Sequence, residues 1–303
     1  MSIIKAEDVA YVRFTAPDLD RMEEFLLDFG LTRAARDDTS LYMRGTGTEP
    51  YAHVTHKGEP GFVAVGFRAA SVGDVEKLAR AEGKDVTRLD GPGGGSMVRL
   101  VDPDGFNIEI VAGRGKAPEI EIPREFVSND SYGRPRFNNP KRVGSGPSRI
   151  LRLGHLVLNV SNFPRAAEWY QSRLGFIASD EWPEQNPTGA FMRCDCGPRA
   201  VDHHTIGLVS GFGVKFGHAA FEVTDFDDLM RGNAHLVKTQ RKHEWGVGRH
   251  FLGSQIFDYW SDPWGHTVEH WTDGDMMDAS YGTRRVPTAI VPAVQWGDQR
   301  GPR

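Results

Sequence analysis

Histidine is the residue whose number and placement first indicate chemistry in this sequence. The chain holds 11 histidines, and nine of them lie between His155 and His270. Three segments in this region, 154–160, 217–223 and 266–272, have the alternation of β-strands, in which every second side chain shares a face. Each strand can therefore project one metal-competent side chain into a common concavity, and these are His155, His218 and Glu269. Two neutral imidazoles and one carboxylate leave open coordination positions, which suits Fe(II) and oxygen chemistry.

The elements that would position these residues occur as repeats. The segment VAYVRFTAPDLDRMEEFLLDFGL from Val9 is similar to LGHLVLNVSNFPRAAEWYQSRLGF from Leu153. Each begins as an apolar strand and continues as a helix that Asp18 or, in the second copy, Ser161 or Asn162 can cap. Two further pairs begin at Gly61 and Phe216 and at Arg99 and Tyr259, and the last pair contains an Asp-Pro-x-Gly turn between strands. The repeats predict four βαβββ modules in an α+β fold.

The modules divide the chain into two predicted domains. Residues 1–114 form an N-terminal module pair that we expect to be metal-free, and residues 149–275 form the catalytic module pair. Residues 115–148 are rich in Pro, Gly, Asn, Arg and Ser, which predicts a linker. Residues 276–303 have no clear period and are predicted to be a C-terminal tail.

The comparison between repeats helps to decide whether these histidines form a functional site or have only a structural role in the core. A lone histidine in an apolar strand is more often a hydrogen-bonded core residue, and a glutamate after a turn is more often solvated. In the first half the position of His155 holds Tyr11 or Arg13, that of His218 holds Ala64 or a neighbour, and Glu109 matches Glu269 without histidine partners. The fold alone therefore does not demand the histidines, and the second half is the better candidate for a site.

Composition excludes several classes of protein. The chain of 303 residues is 39% hydrophobic and 25% charged, which is typical of a soluble globular protein. A net charge of −5 gives no support to nucleic-acid binding, and no apolar run approaches the roughly 20 residues that span a bilayer. The N-terminal segment does not read as a signal peptide, and two cysteines cannot build a disulfide framework, so we expect a cytoplasmic protein without membrane partners.

Together these residues resemble the type I extradiol ring-cleavage dioxygenases of the vicinal-oxygen-chelate superfamily, over about residues 5–275. The resemblance assigns the metal ligands to His155 in GHLVLNV, His218 in GHAAFEV and Glu269 in HTVEHW. The family has three further functional residues. The first matches the pair His203–His204, and the residues that follow the pair favour His204. The other two match His250 in GRH and Tyr259. The tryptophans around Tyr259 are most similar to the branch that acts on trihydroxytoluene.

The resemblance implies a function as well as a fold. It implies extradiol cleavage of a catechol-type or polyhydroxylated ring by O2 and Fe(II), with Mn(II) accepted by the same ligands. His204 would hydrogen-bond the oxygen and assist proton delivery, and His250 and Tyr259 would hydrogen-bond the substrate oxygen. A homo-oligomer is expected. The alternatives are another metal-dependent enzyme of this superfold, such as an isomerase or thiol transferase, and a metal-free protein that binds aromatic ligands.

Overall fold

The computed structural model describes residues 2–122 and 128–301. Its first sheet has eight strands in the order β2-β3-β4-β1-β5-β8-β7-β6. The elements of this half are β1 (Ala6–Ala16), α1 (Leu19–Phe29), β2 (Thr32–Arg36), β3 (Ser40–Arg44), β4 (His53–Lys57), β5 (Gly61–Ala69), α2 (Val72–Glu82), β6 (Thr87–Arg88), β7 (Ser96–Val101) and β8 (Asn107–Ala112).

The second sheet has ten strands in the order β19-β10-β11-β13-β9-β14-β17-β16-β15-β20, and β12 pairs separately with β18. Its half contains β9 (Ile150–Val160), α3 (Phe163–Leu174), β10 (Ile177–Trp182), β11 (Gly189–Arg193), β12 (Val201–Asp202), β13 (Ile206–Ser210), β14 (Lys215–Val223), α4 (Phe226–Lys238), β15 (Lys242–His250), β16 (Ile256–Ser261), β17 (Thr267–Thr272), β18 (Met276–Met277), β19 (Arg284–Arg285), a 3-10 helix (Thr288–Ile290) and β20 (Val294–Gly297).

The predicted α+β fold of four βαβββ modules is confirmed. In each half the first strands of the two modules pair antiparallel, β1 with β5 and β9 with β14. The third module carries one extra short strand, β12. Since β9 and β14 lie at the centre of the second sheet, side chains on one face of these strands are surrounded by the strands of both modules.

Capping residues explain where the first helix of each half begins and ends. The carboxylate of Asp18 accepts a hydrogen bond from the Arg21 amide, and Asn162 does the same for Arg165 in α3. Both helices end at a glycine in the left-handed conformation, Gly30 after α1 and the equivalent residue after α3. Of the two predicted N-caps for α3, the structure uses Asn162.

The two halves share one apolar core. The main buried cluster takes residues from both large sheets and from all four helices. Polar contacts cross the same boundary, because Asp28 of α1 accepts hydrogen bonds from His235 (2.9 Å) and Arg241 (2.8 Å). His270 also contacts the carbonyl oxygen of Phe29 through Nε2 at 2.7 Å. The second half is therefore held by the first as well as by its own strands.

The segments outside the modules differ in structure. Residues 123–127 of the predicted linker and the last two residues of the predicted tail lie outside the described residues. The described part of 115–148 contains no helix or strand, whereas β18, β19 and β20 pair with β12, β10 and β15. The division at residues 114, 148 and 275 stays a prediction. Within the described ranges, no helix is long and apolar enough to cross a membrane.

Candidate metal centre and active site

The candidate metal ligands lie on three neighbouring strands, β9, β14 and β17. His155 lies opposite Ala220, and Ala220 lies opposite Glu269, so these residues form one row across the sheet. His218 is two residues before Ala220 on the same strand and therefore shares its face. Because the alanine side chain ends at Cβ, the space between His155 and Glu269 stays open. The predicted convergence of the three side chains is present in the structure.

A glycine precedes each of the two candidate ligand histidines, and each glycine forms a β-bulge. The register between β9 and β14 shifts at Gly154 and at Gly217. A Cβ atom at Gly154 would lie 2.4 Å from the ring of Trp271, and one at Gly217 would lie 2.8 Å from the carbonyl oxygen of Val157. Larger residues do not fit at these places. Bulges beside active sites re-aim the following side chain, and here that side chain is a histidine.

The ligand atoms have the spacing and surroundings that a divalent cation requires. One atom from each of His155, His218 and Glu269 lies within 4.8 Å of the others, and Nε2 of either histidine is 3.3 Å from Oε2 of Glu269. Glu269 is fully buried, and neither of its oxygens nor Nε2 of His218 has a hydrogen-bond partner among the described residues. Burying such groups unpartnered is costly. Two nitrogens and one carboxylate aimed at one point therefore fit a divalent metal.

The electrostatics of the ligands are consistent with that fit. Burial lowers the pKa of His155, which favours the neutral imidazole that binds metal. Burial alone would raise the pKa of Glu269, but the imidazoles of His155, His218 and His250 outweigh burial and hold it well below its usual range. The carboxylate is thus ionised at neutral pH and supplies the negative charge of the site.

Two further predicted residues meet beside Glu269. Tyr259 of β16 lies directly opposite Glu269 in the register, and Nε2 of His250, at the end of β15, is 3.0 Å from the Tyr259 hydroxyl. Burial and the charge of Glu269 raise the pKa of Tyr259 well above its usual value, so the hydroxyl keeps its proton. The pair therefore offers one phenol and one imidazole on the β16 side of the ligands.

The third predicted residue lies on the opposite side of the ligands. The His204 ring precedes β13, and its centroid is 4.1 Å from that of His155. The neighbouring His203 ring turns away, with Nε2 2.7 Å from the carboxylate of Asp180. Burial, with His155 and His203 nearby, lowers the pKa of His204 far below its usual value. Of the pair that the sequence left open, His204 is the residue beside the candidate ligands.

Sequence reasoning missed three residues that shape this site. Ala220 provides the open space between the ligands, Phe191 lies against His204 with ring centroids 4.4 Å apart, and Asp180 contacts His203 from behind. A small residue two positions after a candidate ligand on the same strand was a usable signal for Ala220. The other two come from β10 and β11, whose own patterns contain nothing that relates them to the histidines.

The first half shows what the same strand positions hold without histidines. Tyr11 lies opposite Gly66 and Gly66 opposite Glu109, so Tyr11 takes the place of His155, and Ala64 that of His218. The Tyr11 hydroxyl donates to Glu109 at 2.6 Å, Nη2 of Arg13 at 3.1 Å and Nε of Arg99 at 3.0 Å. The buried carboxylate of this half is therefore neutralised by two guanidinium groups.

Comparisons with known proteins agree with the fold and give the family. The model of the glyoxalase/bleomycin resistance protein/dioxygenase superfamily matches residues 152–270. Metapyrocatechase 2 of Cupriavidus necator is 30% identical over 287 residues, which cover 93% of this chain and 86% of that protein. The chain belongs to the extradiol ring-cleavage dioxygenases of this superfamily.

Solved structures place this dioxygenase in the same fold. The Mn(II)-bound glyoxalase of Novosphingobium aromaticivorans has a TM-score of 0.81 at 23% identity, covering 99% of this chain and 93% of its own. Homoprotocatechuate 2,3-dioxygenase of Brevibacterium fuscum, in complex with 3,4-dihydroxyphenylacetate, has a TM-score of 0.78 at 21% identity, covering 95% and 87%. At these identities the likeness shows the fold alone. The predicted family and enzyme class are confirmed, and the narrower trihydroxytoluene branch stays a prediction.

Proposed function

We propose that this dioxygenase opens a catechol-type or polyhydroxylated aromatic ring beside its two hydroxylated carbons, using O2 and Fe(II) held by His155, His218 and Glu269. The observation that carries the proposal is the convergence of these three donor groups within 4.8 Å, with both oxygens of the buried Glu269 and Nε2 of His218 lacking hydrogen-bond partners among the described residues. Mn(II) accepts the same ligands, and Fe(II) is the proposed resident metal because the family chemistry uses O2.

Divalent iron bound there would offer open positions for two adjacent ring oxygens and for O2, and would pass electron density between them. The protein's own residues then orient the ring and manage protons. The Tyr259 hydroxyl holds a proton and lies within hydrogen-bond distance of His250, so this pair can fix the position of a substrate oxygen. His204, on the other side of the ligands, can exchange a proton with the reacting oxygens.

The surrounding walls support an aromatic substrate. Phe191 lies against His204, and Trp245 stacks on Tyr259 with ring centroids 5.4 Å apart. Aromatic rings bury the faces of a planar substrate while the polar groups select its oxygens. We further propose that the enzyme acts in the cytoplasm as a homo-oligomer in the breakdown of aromatic compounds.

The test is anaerobic loading of the protein with Fe(II), followed by a panel of catechols and triols and then O2. We expect uptake of one O2 per ring and a new visible absorbance from the opened product. His155→Ala should lose both the iron and the O2 uptake. His235→Gln changes a histidine that pairs with Asp28 outside the site and should retain both.

Two results would contradict the proposal. If iron-loaded protein consumed no O2 with any member of a broad panel, ring cleavage would be the wrong reaction. Binding of catechols by metal-free protein without turnover would favour a binding function. If His155→Ala still held stoichiometric iron, the ligand assignment would be wrong.

A further inference from the structure

The row of side chains that contains two of the candidate ligands continues past Tyr259. Trp245 of β15 lies opposite Tyr259 in the register, as Tyr259 lies opposite Glu269. Directly opposite residues of paired strands project from the same face of a sheet. Trp245 therefore lies on the face that carries the ligands, one strand beyond Tyr259. Its indole is only 3% exposed and stacks on the Tyr259 phenol with 15° between the ring planes.

The polar atom of Trp245 is already used by the C-terminal segment. Nε1 of its indole donates a hydrogen bond to the carbonyl oxygen of Asp298 at 2.9 Å. An indole has no other hydrogen-bonding group, so the rest of the side chain offers only hydrocarbon. Trp245 also packs with Phe257 and with Val294 of β20. The wall on the β15 side of Tyr259 is therefore apolar.

The wall on the opposite side of the ligands is apolar as well. Phe191 of β11, whose ring lies against His204, packs on a buried cluster of Trp182, Leu252 and Val286. Val286 follows β19, so the C-terminal segment contributes to this wall as it does to the first. A substituent on a ring bound between His204 and Tyr259 thus meets hydrocarbon on either side.

The lysine and arginine side chains on the strands that carry these walls already have partners. Arg193 of β11 donates hydrogen bonds to backbone carbonyl oxygens, among them that of Ala178 at 3.0 Å. The other cations of β10, β11, β15, β16, β19 and β20 form ion pairs, which are Lys242–Glu244, Arg249–Asp273, Arg284–Asp180 and Arg285–Glu181. A substrate carboxylate would therefore have to compete with a protein carboxylate or carbonyl group for any cation of these strands.

Walls of this kind discriminate between substrates by charge. A carboxylate that loses its water against hydrocarbon without gaining a cation is costly to bury, whereas an alkyl or aryl group gains from the same burial. We propose that the enzyme selects catechols with an alkyl or aryl substituent over catechols that carry a carboxylate, and that Trp245 is a specificity-determining residue. This selection rests on the proposed function for the position of the diol.

The test is anaerobic binding calorimetry of the full-length protein loaded with Zn(II), so that no turnover accompanies binding. Catechol is compared with two matched pairs, 4-isopropylcatechol with 3,4-dihydroxybenzoate and 3-isopropylcatechol with 2,3-dihydroxybenzoate. An isopropyl group and a carboxylate have similar shapes and differ in charge. In the pair that binds more tightly, we expect the isopropyl compound to bind at least about tenfold more tightly than the carboxylate.

Three variants test the role of Trp245. Trp245→Arg places a cation in the wall and should shift the binding ratio toward the carboxylate by at least about tenfold, whereas Trp245→Phe keeps the wall apolar and should preserve the preference. Trp296→Arg is the matched control. Trp296 of β20 packs against Phe226 of α4, on the helix side of the sheet, and its replacement should leave the ratio unchanged.

The outcomes separate this selection from the proposed function. Equal binding within the pair, or tighter binding of the carboxylate, would overturn the selection even in an enzyme that cleaves catechols, as would binding of catechol alone. An unchanged ratio in Trp245→Arg would overturn the role of Trp245. If that variant does not fold, Trp245→Ala decides, because loss of the indole should reduce the preference at least about fivefold. If neither catechol nor any derivative binds, the proposed function fails and the selection fails with it.

Discussion

Two glutamates at equivalent strand positions allow a quantitative test of the difference between the halves. Glu109 of β8 and Glu269 of β17 are both fully buried. Glu109 accepts hydrogen bonds from Tyr11, Arg13 and Arg99, whereas the neighbours of Glu269 are the imidazoles of His155 and His218. We predict that Glu109→Gln destabilises the protein without changing its metal content. Glu269→Gln should have the opposite pattern.

The magnitude follows from what each change leaves behind. Glutamine at 109 removes the charge opposite Arg13, whose side chain is only 10% exposed. Removing one partner of a buried ion pair costs about 3–5 kcal/mol. Arg99 is half-exposed and can turn to water, so it adds little, and the low end of about 3 kcal/mol applies. For a chain of this size that corresponds to a fall in Tm of about 5 °C.

Glutamine at 269 removes a buried charge that has no guanidinium partner, so the Tm of the metal-free protein should not fall. Metal should stabilise the wild type by about 2.7 kcal/mol at a metal concentration 100 times the dissociation constant, and should not stabilise Glu269→Gln. The assay is thermal unfolding of wild type and both variants, with and without metal, together with metal analysis. A Glu109→Gln protein with unchanged Tm would refute the reasoning, as would one that loses its metal.

Two further predictions concern stability. Burial lowers the pKa of His53 to about 4, near Asp262 and His266, so the folded state excludes a proton that the unfolded chain binds below about pH 6.5. The free energy of unfolding should therefore fall between pH 6.5 and pH 4, by up to about 3 kcal/mol more in wild type than in His53→Gln. Urea unfolding at a series of pH values measures this difference, and parallel pH profiles of the two proteins would disprove it. Gly45→Ala should lower the free energy of unfolding by about 1–3 kcal/mol, because its Cβ would lie 2.4 Å from the Leu151 carbonyl oxygen. Gly47→Ala should lower it much less, since its Cβ would lie 3.3 Å from the same oxygen. Equal losses in urea unfolding would argue against a tight contact between the halves.

The candidate ligands could be predicted because the two-residue alternation of a β-strand determines which face each of their side chains is on. Alternation within each strand places His155, His218 and Glu269 on defined faces, and comparison of the repeats showed that only one half carries the histidines. The bulges at Gly154 and Gly217 do not disturb this prediction. They lie at the two ends of the paired stretch that contains His155 and His218, and the pairing within that stretch is regular. The row from β9 to β17 stays in register.

The residues behind the site could not be predicted in the same way. Asp180 lies on β10, which reaches the histidines only through the pairing of β10, β11 and β13. A bulge at Ser179 also breaks the alternation that would have given the direction of Asp180. Arg284, its cationic partner, comes from a segment without period. Contacts of this kind depend on tertiary structure that no local pattern encodes.

Bulges also explain why the first half left two alternatives at the position of His155. The register between β1 and β5 shifts between Val9 and Tyr11 and again between Arg13 and Phe14. Tyr11 takes the strand position of His155, yet Arg13 also reaches Glu109. Both candidates from the sequence therefore contact the carboxylate.

A buried carboxylate in this fold needs a compensating cation, and the two halves hold the groups for two solutions. In the first half, protein side chains supply that cation. Arg13 and Arg99 donate hydrogen bonds to Glu109, and Tyr11 occupies the strand position that holds His155 in the second half. In the second half the neighbours of Glu269 are the imidazoles of His155, His218 and His250, and Ala220 leaves space between the ligands. A divalent cation from solution would supply the full positive charge that no guanidinium supplies there. In this fold, the side chains at the strand positions of His155 and His218 thus decide whether the buried carboxylate forms a structural ion pair or a metal site.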